Sequence, residues 1–540
     1  MAAGATVHES SGEGRVIELL WHNQVVAQAA SQEGGQSTSL SSDFSKTSWA
    51  PIVLAVVFGV IVSSAAGTHI VLVGIMVPIV IAIAWSSPRT LLLLLVVWMT
   101  SLGLVRRLIS SGGSIGFSGD PLLIIGPLII LCLLLVVASG PGAFKNRTTL
   151  ASVVLAMNVL ALVEVVNPGQ GTLLTGLGGL LFMLIPVCAF WIGRSMVDDV
   201  LMRQILWTVA ILGALTAAYG LYQVFHGFPS WDQTWLTSRS YSSLKIQGQA
   251  VRSFGTMSSA QEYASYLSVS LMAWLGLILD RQRVRLVIPL AGFAIVGTAL
   301  FYASVRTALS LGVVALIVTV LAFRGLRGLT TLIVAPMLIF VVYIGLTTIS
   351  PSGSGSSGGS GTNSAAGVFA NHQLSGLTNP TGKGSSLSGH ISATKTGMMR
   401  GITRPIGLGV GSVTLAAGRY ASNKDLNNNT EYDPGNMGVA LGILGLAFYF
   451  VLVVLGLRTA YATATRRHDA IGCFALGAVV AMLLQWFNGD LYSVAWIVWL
   501  CLGYSDGYLL RGDVDTVGEV LAPTEAPPIA LNRRRWITQQ

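Results

Sequence analysis

Charge is what this sequence most lacks. Only 10% of its 540 residues are Asp, Glu, Lys or Arg, against about 25% in soluble globular proteins. With 53% hydrophobic residues and a mean hydropathy of +0.70, most of the chain needs apolar solvent around it. Recognisable soluble chemistry is missing too: there is no P-loop, GxSxG, CxxC or cluster of metal-ligand spacing. The four cysteines, Cys132, Cys188, Cys473 and Cys501, fall inside apolar runs and read as small packing residues. No cleavable leader is expected, because the first 48 residues are mostly polar and the first long apolar run begins near Trp49. No repeat of fixed period stands out.

What is present is a series of continuous apolar windows of roughly 18–24 residues, each able to cross about 30 Å of hydrocarbon as a helix. About 14 are expected, centred near residues 57, 77, 97, 129, 157, 184, 212, 271, 293, 315, 339, 446, 478 and 499. A β-barrel would show alternating segments of about ten residues instead. The expected class is therefore all-α, a polytopic helical membrane protein, with residues 49–510 as the membrane domain between tails 1–48 and 511–540. The N-terminal tail is read as largely disordered, with one short amphipathic helix in "RVIELLWHNQVV".

The net charge of +9 follows topology rather than nucleic acid, so no nucleic-acid partner is expected. With a cytoplasmic N-terminus and 14 spans, 19 of the 31 Lys and Arg residues fall inside. The short outside loops hold only Arg106, Arg107 and Arg306. By the positive-inside rule both termini face the cytoplasm. Two long segments, 227–261 and 351–435, then lie outside. The second opens with the linker "PSGSGSSGGSGTNSAAG" (351–367), too polar and Gly/Ser-rich to order itself.

Within that second segment, "SGHISATKTGMMRGITRPIGLGVGS" (388–412) carries His390, Lys395, Arg400 and Arg404 with no acidic residue among them. Its periodicity predicts an amphipathic helix from about 390 to 403, on or near the membrane surface, then a glycine-rich turn. Arg400 and Arg404, four apart, suit a helical face that grips phosphate with planar guanidinium forks. A solvated or headgroup-facing patch is the plainer reading, and the better one for Lys395. Arg252 precedes a capping box formed by Ser259 and Glu262. Arg306, alone between two spans, is either an interfacial arginine that snorkels or a ligand-binding charge. Asp433, followed by Pro434, is a helix cap, a catalytic base, or both. "GLGVGS" reads as a close-packed turn rather than a nucleotide loop, since no strand precedes it.

"RSFGTMSSAQEYASYL", "SVRTALSLGVVAL", "GHISATKTGMMRGITRPIGLGVGS" and "DPGNMGVALGILGL" together resemble the ordered motifs of the O-antigen ligase and O-antigen polymerase superfamily, over roughly residues 250–460. The resemblance implies a GT-C-like fold and transfer of saccharide from a polyprenyl-diphosphate carrier to a glycan or lipid acceptor. It implies a cell-membrane enzyme with an extracytoplasmic active face and neither metal nor other cofactor. By position it implies that Arg252 and Arg306, with Arg400 and Arg404, bind the diphosphate. Two departures stand out: His390 aligns where the family has arginine, and Gly435-Asn436 where it has His-Asn or Asp-Asn. The base would then be Asp433 or His390.

Two rival functions remain. A flippase for lipid-linked oligosaccharide also has about 14 spans, but it calls for charges at the bilayer midplane and related halves; Glu164 is the nearest such charge here. A non-catalytic partner of a cell-surface glycan assembly system would explain the missing histidine.

Overall fold

In the computed structural model the described residues are 68–110, 120–140, 144, 147–238, 245–246, 250–280, 286–325, 365–378, 387–414, 416–420 and 428–521. They are almost entirely helical: α1 (Thr68–Ser86), α2 (Pro88–Ser110), α3 (Ile125–Ser139), α4 (Thr149–Val163), α5 (Leu173–Gly179), α6 (Ile185–Met196), α7 (Asp199–His226) and α8 (Ser230–Ser238). A two-residue hairpin, Lys245–Ile246 with Ala250–Val251, precedes α9 (Ala260–Leu279), α10 (Val287–Tyr302) and α11 (Arg306–Arg324). Then come α12 (Ala365–Thr378), α13 (Leu387–Thr403), α14 (Ala417–Tyr420), α15 (Asp433–Arg467), α16 (Ala470–Ala481) and α17 (Tyr492–Leu521).

Nine helices among the described residues are long and apolar enough to cross a membrane. They match expected centres at 97, 129, 157, 184, 212, 271, 315, 446 and 499. At 77, 293 and 478 the apolar helices are shorter, Val73–Ser86, Val287–Tyr302 and Ala470–Ala481. The windows at 57 and 339, the helix expected in "RVIELLWHNQVV" and most of the 351–367 linker lie outside the described residues. α17 runs on to Leu521, past the boundary expected at 510.

The bundle is organised around α9, 94% of whose span is enclosed, whereas α11 is only 33% enclosed and faces outward. A helix buried on every side must be apolar or small all round. Of the serines of α9, Ser268 satisfies its hydroxyl within the bundle: its Oγ donates to the Ala264 and Ala308 carbonyls, each at 3.0 Å. Its N-terminus carries the expected cap, with Glu262 N donating to Ser259 Oγ at 3.2 Å. The Glu262 carboxylate reaches one residue further back than a standard box, accepting from Ser258 N at 2.9 Å and from Ser493 Oγ.

α15 is broken at Gly442, whose φ of 64° and ψ of −152° lie outside the helical region. A break inside an apolar bundle strands backbone groups that must find partners. The segment after α13 supplies them: Leu408 N and Gly409 N donate to the carbonyls of Val439 and Ala440 at 2.8 and 3.0 Å, and Ile443 N donates to the Pro405 carbonyl at 3.2 Å. "GLGVGS" is therefore a close-packed turn stitched into a helix break. Its far side is held by Gln170, which accepts from Gly411 N at 2.9 Å and donates to the Val165 carbonyl at 2.5 Å. The amphipathic helix read from 390 to 403 extends from Leu387 to Thr403. A Cβ on its Gly397 would sit 2.7 Å from Gly435 Cα, and one on Gly401 2.6 Å from Gly438 Cα. α13 is thus held backbone to backbone against the first turns of α15.

Candidate functional site

The polar ends of the helices gather at two poles. At one, α2, α7 and α10 end and α9, α11 and α15 begin; Arg252, Arg306 and His390 belong to this pole. Its deepest element is an arginine clamp. Arg107 is fully buried, pairs with Asp232 at 2.7 Å, and donates to the carbonyls of Met257 and Gly255 at 2.5 and 2.6 Å. Its guanidinium lies 4.7 Å from the Phe254 ring centre. Asp232 also accepts from Tyr219 and from Gln223 Nε2, both at 2.7 Å, and Gln223 Oε1 accepts from Phe254 N and Gly255 N. Arg106 pairs with Asp120 at 2.5 Å. Arg106 and Arg107, expected from the sequence as loop charges, are instead buried braces in the last turns of α2. They fix the backbone immediately after Arg252.

Arg252 leaves that braced turn beside Arg306, the first residue of α11. Burial, and then the neighbouring Arg306 cation, hold the Arg252 guanidinium below the usual arginine range. Arg306 donates to the His372 carbonyl at 2.8 Å and meets its Nδ1 at 3.2 Å, while its buried Nε makes no hydrogen bond among the described residues. Burial, then Arg306 and Arg252, push the His372 imidazole down to about 4, so it is neutral near pH 7 and accepts from Arg306. His372 lies on α12, just beyond the linker, and no sequence signal singles it out.

His390 completes the cluster. Its Nδ1 lies 2.5 Å from Glu431 Oε2, and that hydrogen bond lifts the imidazole above its ordinary value against the opposing pull of burial and Arg252. Its ring meets Tyr432 edge-on at 5.9 Å, and Tyr432 OH pairs with Thr307 Oγ1 at 3.0 Å. Glu431 has a φ of 68°, unusual for a residue with a side chain. Asn429 Oδ1 accepts from its N–H at 2.8 Å, and its carbonyl accepts from Asn488 Nδ2 at 3.1 Å, so both backbone groups are tied down.

Asp433 is elsewhere. The N-cap of α15 is Tyr432, and Asp433 is the first helical residue, fully buried. Both its carboxylate oxygens accept from Phe487 N at 3.2 Å, and its own N–H donates to the Leu484 carbonyl at 2.8 Å. It ties the turn before α17 to the start of α15 rather than capping its own helix. Arg400 and Arg404 also stand apart. Both are exposed; Arg400 donates to Asn428 Oδ1 at 2.5 Å. Arg400, ten residues beyond His390 at about 1.5 Å per residue, lies about 15 Å along the helix, and Arg404 follows its last residue, Thr403. Glu164, expected near mid-span, sits at the end of α4 and accepts from Asn167 Nδ2 at 2.5 Å.

The arrangement offers two chemistries side by side: two neighbouring guanidiniums, suited to an anion, and a carboxylate-oriented imidazole with Nε2 left to move a proton. Among the described residues no group of three His, Cys, Asp or Glu side chains gathers as a metal site. Comparison of the chain with family models, curated proteins and solved structures finds no match.

Proposed function

We propose that this chain is a membrane glycan ligase or polymerase, transferring saccharide from a polyprenyl-diphosphate carrier to an acceptor hydroxyl on the extracytoplasmic face. The observation that carries the reading is the convergence of Arg252, Arg306, His372 and the His390–Glu431 pair at one pole of an apolar helical bundle. The acceptor oxygen attacks the anomeric carbon, the bond from that carbon to the diphosphate oxygen breaks, and the acceptor proton passes to His390 Nε2. Arg252 and Arg306 take up the charge that develops on the leaving diphosphate. Neutral His372 holds Arg306 in place without adding a third cation. Glu431 fixes the tautomer and orientation of His390 and stabilises it once protonated, as a carboxylate does for an imidazole base. Asp433, enclosed and occupied by Phe487 N, is left a structural part.

The experiment is transfer by the full chain in nanodiscs, following release of polyprenyl diphosphate from a lipid-linked oligosaccharide. Arg252→Ala and Arg306→Ala are each expected to lower turnover about 100-fold or more, the scale for a charge-stabilising donor in a dry site. Wild-type turnover in both variants overturns the reading. Movement of the intact lipid-linked saccharide across the bilayer without cleavage of the diphosphate bond replaces it with transport.

A further inference from the structure

α13 is half covered. Its Gly397–Gly401 side is closed against α15, while Ile391, Met399 and Ile402 are 59%, 52% and 56% exposed, and Ile406 just beyond the helix is 72% exposed. At 3.6 residues per turn Ile391, Met399 and Ile402 fall within a sector of about 80°, and Lys395 among them carries a stem long enough to return its charge to the surface. Ser392, Thr396, Thr403 and Arg400 fall on the neighbouring flank. An uncovered apolar sector beside a polar, basic one is the pattern of a helix lying in a membrane–water interface. Charge narrows what meets the basic residues. The chain has no Asp or Glu between Asp280 and Asp425, so α13 and both its flanking segments offer Lys395, Arg400 and Arg404 no carboxylate of their own. Arg400 is steadied by Asn428 and Arg404 makes no side-chain bond among the described residues.

We propose that α13 is an interfacial helix whose apolar sector enters the acyl boundary and whose Arg400 and Arg404 bind the phosphates of anionic phospholipids. This moves both arginines from the donor site to the surrounding bilayer, and it stands whether or not the chain transfers glycan. The bond between α13 and α15 then places the bilayer surface within one rigid unit of the start of α15, and so of Tyr432 and Glu431.

The test uses the full chain in nanodiscs of phosphatidylcholine with or without phosphatidylglycerol. A nitroxide on Ile402→Cys is expected to relax with oxygen, and one on Thr396→Cys with a water-soluble nickel chelate. Native mass spectrometry is expected to retain phosphatidylglycerol over phosphatidylcholine, and Arg400→Gln with Arg404→Gln to cut that preference about 25-fold, since each cation near an anionic surface contributes about fivefold. A water-exposed label at Ile402, or equal retention of the two lipids, overturns the proposal. Dipolar broadening between Ile402 labels assigns the face to a second copy instead. Displacement of phosphatidylglycerol by one equivalent of a polyprenyl diphosphate assigns the arginines back to the donor.

Discussion

The two poles of the bundle handle arginine differently. At the pole where α7 and α16 begin and α15 ends, arginines meet carboxylates. Arg467 makes a bidentate pair with Asp199 at 2.8 and 3.0 Å and reaches Asp469 at 2.8 Å, Arg194 pairs with Asp506 at 2.7 Å, and Arg203 lies 3.5 Å from Asp280. At the opposite pole the braces Arg106 and Arg107 are matched with aspartates, while Arg252 sits beside Arg306 and Arg306 binds a histidine. Matched charges neutralise one another, although at this pole Asp199, Arg203, Arg467 and Asp469 still line a cavity of about 710 Å³. Two adjacent cations repel each other, and under the proposed function that pole is the one that takes an anion.

Breaking a brace is the largest expected effect. Arg107→Ala leaves Asp232 buried with an uncompensated charge and releases the Gly255 and Met257 carbonyls. Loss of one partner of a buried pair costs about 3–5 kcal/mol, so a large fall in thermal midpoint is expected, with loss of transfer as the Arg252 turn loosens. A midpoint unchanged from wild type would mean that Asp232 is not held as a charged partner. Substituting the two cations beside the brace is expected to do the opposite: if they serve the proposed transfer, Arg252→Ala and Arg306→Ala remove turnover while the midpoint stays near wild type or rises, because like-charge repulsion is relieved. That split between stability and turnover sharpens the comparison. A fall in midpoint equal to that of Arg107→Ala would make Arg252 another brace.

Next in size is a shift in pH dependence. As the proposed base His390 works only when neutral, so turnover is expected to fall as pH drops through its pKa, which Glu431 holds above the ordinary imidazole value. Glu431→Gln removes the raising partner; the acid limb moves to lower pH and the plateau falls through lost orientation. The linked stability has the reverse sense. The pair stabilises the fold below about pH 6.5 and that contribution is lost as pH rises through the raised value. An unmoved acid limb in Glu431→Gln would remove His390 as the base. Full activity in His390→Ala would do so directly.

Much of this frame is written in the sequence, and the missing parts have physical reasons. Long apolar runs declare spans, and "SSAQE" declares the α9 cap, because both signals are local. The pairs that build the site are not local. Arg107 meets Asp232 and His390 meets Glu431 only after helices pack, and nothing in the flanking residues of Asp232 or Glu431 distinguishes them from loop carboxylates. Arg306 is legible as a charge without local purpose, but its partner His372 lies beyond a Gly/Ser-rich stretch that offers no register. Asp433-Pro434 is a sound cap signal, yet the carboxylate is taken by Phe487 N from another connection. "GLGVGS" is legible as a tight turn; its role in filling the break at Gly442 needs the backbone groups of a distant helix.

The smallest expected effect tests the matched pole at its edge. Arg89 and Asp198 pair at 2.6 Å, but their side chains are 62% and 45% exposed. A pair in that setting is screened by solvent and contributes about 0–1 kcal/mol. Asp198 also serves the helix that follows it, because its carboxylate caps α7 by accepting from Leu201 N at 2.8 Å. Arg89→Ala is therefore expected to be nearly silent in thermal midpoint. Asp198→Ala should cost about 1 kcal/mol through the lost cap, and Asp198→Asn, which keeps an acceptor oxygen, should recover most of it. Equal losses in Arg89→Ala and Asp198→Ala would instead place the stabilisation in the ion pair, and charge pairing would then stabilise the matched pole even where water reaches it.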